Sequence, residues 1–268
     1  MSAGELDLAC SANTLRHADL TTRVRAAATA GFTAIGLRLG DQDLPDRALR
    51  ELLAAHGMRV LELEHTWDWA APEPAPEETA LFRLAELVGC RQLNVPMFFD
   101  HRTENLVEPF GALCDRAAEH GLLVGFEFIP YSHVRTLAEA WEVVGAAARP
   151  NGGVIIDLWH WFRSGATAAE VVTVPAAAVT SVQLSDVGPV GSADLRAEAR
   201  HRRLLPGRGA GDSAAVLAAL RGHGVTAPVS VEVFSDALDA MPSADAASVA
   251  FDTAAEVLAG FAPLGRVA

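Results

Sequence analysis

The chain has 268 residues, half of them apolar, with 34 acidic against 21 basic side chains and a net charge of −13. A field of that sign repels phosphate backbones and anionic lipid surfaces, which argues against nucleic acid or membrane as a partner. All the basic side chains are arginine, and without a lysine amine Schiff-base aldolases, pyridoxal-phosphate enzymes and P-loop nucleotide sites are excluded.

Eight short strand-like runs follow one another, each leading into a helical pattern. They are expected at residues 6–10, 32–37, 58–64, 92–97, 122–128, 153–157, 179–184 and 228–234. Their starts lie 26 to 34 residues apart, except for a last interval of 49. A βα unit takes about 30 residues, so eight in series predict an α/β fold, a single (β/α)8 TIM barrel over residues 1–268. His56-Gly57, His120-Gly121 and His223-Gly224 each end a helical pattern just before an apolar run. These histidines read as helix caps on the face opposite an active site. The punctuated segment at 71–76 (APEPAP) has too little sequence before it to close a separate domain and reads as a loop. The long interval holds Gly188, Gly191, Gly207, Gly209 and Gly211, and predicts a long active-site loop at about 187–211. Cys10, Cys90 and Cys114 are few and far apart, which argues against a disulfide framework or a structural zinc site. No apolar run approaches the roughly 18 residues of a membrane span, and no basic-then-apolar leader opens the chain; a cytoplasmic protein is expected.

The chemistry concentrates in four late strands. Buried strands should not hold charge unless it is paired or bound to metal. Yet Glu127 (VGFEFIP), Asp157 (GVIIDLWH), Gln183 (SVQLSD) and Glu232 (VSVEVFS) each follow a mostly apolar run, near the C-terminal end of a strand. Strands in a barrel lie about 5 Å apart, so four such side chains can converge on one point. Three carboxylates and an amide oxygen make a hard donor set, suited to Mn²⁺ or Mg²⁺ rather than a thiolate-seeking metal. The competing reading is a buried polar layer satisfied by water and neighbours, which three acids with no nearby cation in the strands make costly.

With Glu127, then Asp157-Leu158-Trp159-His160, then Gln183, the segment Arg203-Leu204-Leu205-Pro206-Gly207-Arg208-Gly209 and Glu232, the chain resembles the xylose-isomerase-like TIM-barrel superfamily. That superfamily includes sugar epimerases, keto-inositol isomerases, inosose dehydratases and 3-dehydroshikimate dehydratases. The resemblance implies Glu127, Asp157, Gln183 and Glu232 as ligands of one divalent ion, with Mn²⁺ expected and Mg²⁺ or Co²⁺ as alternatives. It implies Glu127 and Glu232 as the proton-transferring pair, His160 at the substrate and Arg203 reaching substrate oxygens from the R-x-x-P-G-x-G loop. It also implies a homodimer or homotetramer. Sugar epimerases usually carry histidine where this chain has Gln183, whereas dehydroshikimate dehydratases resemble it in using glutamine. The type-two AP endonucleases are set apart by the several further histidines of their trinuclear zinc site.

Further candidates flank these. Glu62 and Glu64 alternate with Leu61 and Leu63, so both acids share a side, and Glu64 with His65 would reach the barrel mouth if the leucines face the helices. Trp159 and Trp161 could wall the site around His160, as could Trp67, Trp69, Phe98 and Phe99, which could equally be loop packing or a subunit interface. Arg163 could bind substrate or form an ion pair, and Asp186 could orient the loop. Ser164 and Ser185 have no base at nucleophile spacing. The reading is a metal-dependent isomerase or epimerase of carbohydrate metabolism, acting on a small polyhydroxylated ketone, a sugar or cyclitol, through a metal-stabilised enediolate. The alternative is a dehydratase (lyase) of the dehydroshikimate or inosose type, and a more distant one is a non-catalytic sugar-binding barrel.

Overall fold

A computed structural model describes residues 7–41, 44–64 and 67–259. Eight strands, β1 (Ala9–Cys10), β2 (Ala34–Arg38), β3 (Arg59–Glu64), β4 (Gln92–Pro96), β5 (Leu123–Glu127), β6 (Gly152–Asp157), β7 (Val179–Leu184) and β8 (Val229–Val231), pair in that order. All pairs are parallel, and β8 pairs back onto β1, closing a TIM barrel. Around it lie α1 (Leu20–Ala30), α2 (Asp46–Ala55), α3 (Pro76–Val88), α4 (Val107–Ala118), α5 (Leu137–Ala147), α6 (Leu158–Arg163), α7 (Leu195–His201), α8 (Ser213–Gly222), α9 (Asp236–Asp239) and α10 (Ser243–Leu258). Each expected strand is present within a few residues. The beginning of the first run, at Leu6, lies outside the described residues.

The local signals act where the sequence places them. Thr136 and Glu139 form a reciprocal capping box that starts α5. His56 and His223 occupy the C-cap positions of α2 and α8, and the glycines after them, like Gly121 after His120, adopt positive φ. His223 Nε2 meets the Val174 carbonyl at 2.8 Å, and His120 Nδ1 lies 2.7 Å from Glu86. The barrel ring is completed outside the sheet by α1 packing on α10, with Phe32 edge-on to Phe251 at 5.2 Å.

Inside the barrel, a polar layer lies among the apolar ones. A register shift between Ile35 and Gly36 breaks the alternation in β3: Leu63 packs in the main core, Leu61 clusters instead with Ala9 and Ala34, and Glu62 is fully buried. Its carboxylate accepts from Ser230 Oγ at 2.7 Å and Asn94 Nδ2 at 3.0 Å. Burial raises its pKa, against the pull of those two donors. The interval between β7 and β8 contains α7 and α8, and is tied down by an antiparallel bridge between Asp186 and Leu204.

Candidate active site

The C-terminal strand ends converge as their register requires. Asp157 and Gln183 are direct neighbours across β6 and β7, and Glu232 follows the last residue of β8. Glu127, Asp157 and His160 bring ligand-capable atoms within 4.8 Å of one another. His160 Nε2 lies 3.3 Å from Glu127 Oε1, and Gln183 Nε2 donates to Glu232 Oε1 at 3.4 Å. Asp157 also caps α6, accepting the His160 backbone N–H at 2.9 Å. One carboxylate thus starts the helix that carries His160 and faces the centre as well.

Arg203 is the cation of this cluster. It is buried, and its Nη1 donates to Asp157 Oδ2 at 2.6 Å and to Glu232 Oε2 at 3.1 Å. Nη2 lies 3.5 Å from His160 Nε2. The guanidinium is held between the rings of Trp159 and Phe234, at 5.5 and 4.8 Å, while Nε donates to the Ala199 carbonyl. The cation paired with Asp157 and Glu232 thus comes from the long interval between β7 and β8, outside the sheet.

This charge pattern separates the acids. Burial works against ionisation of Asp157, but Arg203, His160 and the α6 cap hold its carboxyl below the usual range. Burial pushes Glu232 well above that range, with Arg203 opposing and the charges of Glu64, Glu127 and Asp157 adding to the rise. Glu64 is raised to about 7 by burial and by Glu62, with Asn13 and Ser11 opposing. Glu64 and Glu232 share donors: Ser11 Oγ lies 3.0 Å from one and 3.1 Å from the other, and the Asn13 side-chain amide donates to both.

The donor set fits a hard divalent cation. Gln183 Oε1 is buried and has no hydrogen-bond partner among the described residues, while Gln183 neighbours Asp157 in the sheet and donates to Glu232. An unsatisfied buried acceptor beside converging acids is what an oxygen-seeking ion would complete.

The outer candidates divide. Glu64, His160 and Arg203 line a cleft of about 450 Å³ together with Glu127, Gln183 and Glu232. Trp159 is fully buried behind Arg203 and does not line the cleft. His65 lies outside the described residues. Arg163 pairs with Glu198, its Nε 2.7 Å from the carboxylate, so the ion-pair alternative applies. Trp69 is packed on Phe110 and Phe126 and donates to the Pro96 carbonyl, whereas Phe98 lines the cleft. Asp186 accepts from the backbone N–H groups of Gly209 and Gly211, both at 2.9 Å, so those amides hold the loop and are not free to cradle a phosphate. Sequence reasoning missed Ser11, Asn13 and Tyr131. The signal for the first two was present: polar residues directly after an apolar strand, the pattern that singled out the late acids.

A family model for the xylose isomerase-like TIM barrel matches residues 24–257. Part of the chain is 32% identical, over 139 residues, to the 3-dehydroshikimate dehydratase of Pseudomonas putida, covering 52% of this chain and 22% of that protein. It is 27% identical, over 157 residues, to the inosose isomerase of Bacillus subtilis, covering 58% and 55%. The matches therefore span about a fifth of the dehydratase and about half of the isomerase. The fold superposes on an IolI protein with a bound zinc atom at a TM-score of 0.85 and 20% identity, covering 96% of this chain and 99% of that one.

Proposed function

The chain belongs to the xylose isomerase-like TIM-barrel family, and we propose that it is a divalent-metal-dependent isomerase or epimerase of a small polyhydroxylated ketone. The observation that carries this reading is that Glu127, Gln183 and Glu232 line one cleft, with Asp157 buried against them, beside Gln183 across β6 and β7 and within reach of Glu127, while Gln183 Oε1 has no hydrogen-bond partner among the described residues. These four side chains would hold the ion, Mn²⁺ by the hardness of the donors, with Mg²⁺ or Co²⁺ as substitutes. Once bound, the ion supplies Lewis-acid polarisation of neighbouring carbonyl and hydroxyl oxygens, which acidifies the carbon between them.

The chain's own groups do the rest. Glu127 faces the cleft beside His160 and takes the proton from that carbon. Glu232, the other carboxyl group lining the cleft, returns one. Return to the opposite face gives epimerisation, and return to the adjacent carbon gives isomerisation. Arg203 holds Asp157 and Glu232 in place, with its Nη2 3.5 Å from His160 Nε2. The segment at about 187–211, which carries Arg203's support at Ala199 and the Asp186-held turn, closes this side of the site.

A second reading has its own support. His160 Nε2, between Glu127 and Arg203, could protonate a departing β-hydroxyl. With glutamine at 183 and partial similarity to a 3-dehydroshikimate dehydratase, this describes a lyase. Mass spectrometry of ketoses, inososes and 3-dehydroshikimate incubated in D₂O with the Mn²⁺-loaded protein separates the two. One deuterium gained without loss of water is expected for the isomerase. Loss of water selects the lyase, and silence across the panel with metal bound removes the ketone reading.

A further inference from the structure

The five arginines around the cleft are not equivalent. Arg203 is taken up by Asp157 and Glu232, and Arg16 by Asp236 at 3.0 Å and by Asp239. Arg38 lies 3.6 Å from Asp41 and donates to the Arg16 carbonyl. Arg196 and Arg200, both exposed, have no carboxylate within ion-pair distance among the described residues. They stand four residues apart on α7, so both project from one face of that helix, and both line the cleft. Like charges at this spacing repel, and a chain with 34 acidic residues has ample means to pair them. Arg196 is also fixed in place: its guanidinium lies 5.7 Å over the Tyr131 ring, and Tyr131 stands edge-on to the His160 ring at 6.0 Å. A stacked guanidinium keeps its N–H edge free for a planar or tetrahedral anion.

We propose that Arg196 and Arg200 form a subsite for an anionic group, a carboxylate or a phosphate, on the part of the substrate remote from its reacting carbonyl. The cleft is polarised accordingly, with acids at the floor and unpaired guanidinium groups at the α7 rim. In a protein of net charge −13, this rim is a local positive field that selects an anion and orients it, ketone end inward. The subsite narrows the substrate from any polyhydroxylated ketone to an acidic one, and so rests on the ketone-enzyme reading.

Isothermal titration calorimetry on the Mn²⁺-loaded and the metal-free protein tests it with two matched pairs: 3-dehydroshikimate against its methyl ester, and D-fructose 6-phosphate against D-fructose. The wild-type protein is expected to prefer the anion in one pair; the first pair marks a carboxylate and the second a phosphate. In R196Q/R200Q that anion should bind about tenfold or more weakly, whereas its neutral counterpart should shift less than twofold. The preference should also shrink with added salt. A wild-type protein that prefers neither anion, or a double variant that keeps the preference, overturns the subsite. Because both side chains are exposed, an unchanged melting temperature is expected to show that the variant is folded. Deuterium exchange by the wild-type protein judges the ketone reading separately: exchange with anion preference unaltered by the substitutions sinks only the subsite. Anion binding lost in the variant, with no ketone exchanged by the wild type, sinks only that reading.

Discussion

Glu64 and Glu232 stand on either side of one hydroxyl, that of Ser11, whose oxygen is 3.0 Å from the first carboxylate and 3.1 Å from the second. A hydroxyl has one proton to give. Facing two carboxylates, it satisfies both only when one of them carries a proton and donates in return. The geometry therefore agrees with the upward shift of both acids, and it joins the opening of the barrel, at β1, to its end, at β8.

The shift of Glu64 sets a pH dependence. A carboxyl raised from its ordinary 4.5 to about 7 stabilises the fold while protonated. That contribution is full below the unfolded value and is lost as pH rises through the folded one. Metal-free protein is thus expected to lose stability between about pH 4.5 and 8, and Glu64→Gln to flatten the decline. The variant should be about 1–3 kcal/mol more stable than the parent at pH 8 and similar to it at pH 4.5. Urea denaturation across the range checks this; parallel curves for the two proteins would refute the assignment.

Glu232→Gln keeps the volume and the hydrogen-bonding shape of the side chain but removes both a ligand charge and an exchangeable carboxyl proton. Turnover should fall about 10²–10⁴-fold, the usual worth of a positioned acid or base, with the circular dichroism spectrum unchanged. Retention of most of the activity would remove Glu232 from proton transfer and from the metal site together.

The barrel was legible because its period is carried by simple signals: apolar runs at βα spacing, and His-Gly helix ends. The positions of the four candidate ligands at the strand ends were legible for a related reason, since charge or amide at the end of an apolar strand has few structural explanations. Arg203 could be placed in the loop but not paired, because its partners Asp157 and Glu232 lie 46 and 29 residues away and only barrel closure brings them together. The extent of the last strand was overestimated for a similar reason. Glu232 N–H still donates to the Leu184 carbonyl of β7, but beyond it the backbone turns to other partners: Val233 N–H donates to Thr14 Oγ1, and the Phe234 carbonyl accepts from Arg203 N–H. An apolar run reports burial, whereas strand length depends on which neighbour is available to pair.

Gly209 has a steric reason to be glycine. A Cβ there would lie 2.3 Å from the Val187 carbonyl oxygen and 2.5 Å from Asp186 Oδ1. Gly209→Ala is expected to push Asp186 off the turn it organises, at a cost of about 1–3 kcal/mol. At about 2–4 °C per kcal/mol for a chain of this size, the melting temperature should drop by several degrees. A differential scanning calorimetry trace superimposable on that of the parent would show that the loop absorbs the methyl group without strain.

Gln183→His exchanges a hard oxygen donor for an imidazole. Borderline ions such as Zn²⁺ and Co²⁺ should then gain on Mn²⁺. Elemental analysis after equilibration with equimolar Mn²⁺ and Zn²⁺ reads the shift directly. An unchanged ratio would count against Gln183 as a ligand, and its unpartnered oxygen would then need another explanation.

Arg203→Met tests the idea that a cation and a metal ion satisfy the same acids. The substitution keeps much of the side-chain length between Trp159 and Phe234 but leaves Asp157 and Glu232 buried without their guanidinium. Removing one partner of a buried charge pair costs about 3–5 kcal/mol, because the other charge stays desolvated. The metal-free variant should therefore melt well below the parent, most of all at neutral pH, where Asp157 is ionised. A divalent ion places positive charge on those same carboxylates, so saturating Mn²⁺ should raise the melting temperature of the variant more than that of the parent. Equal increments in the two proteins would mean that the ion does not reach Asp157 and Glu232, and would place the metal elsewhere even if turnover required it.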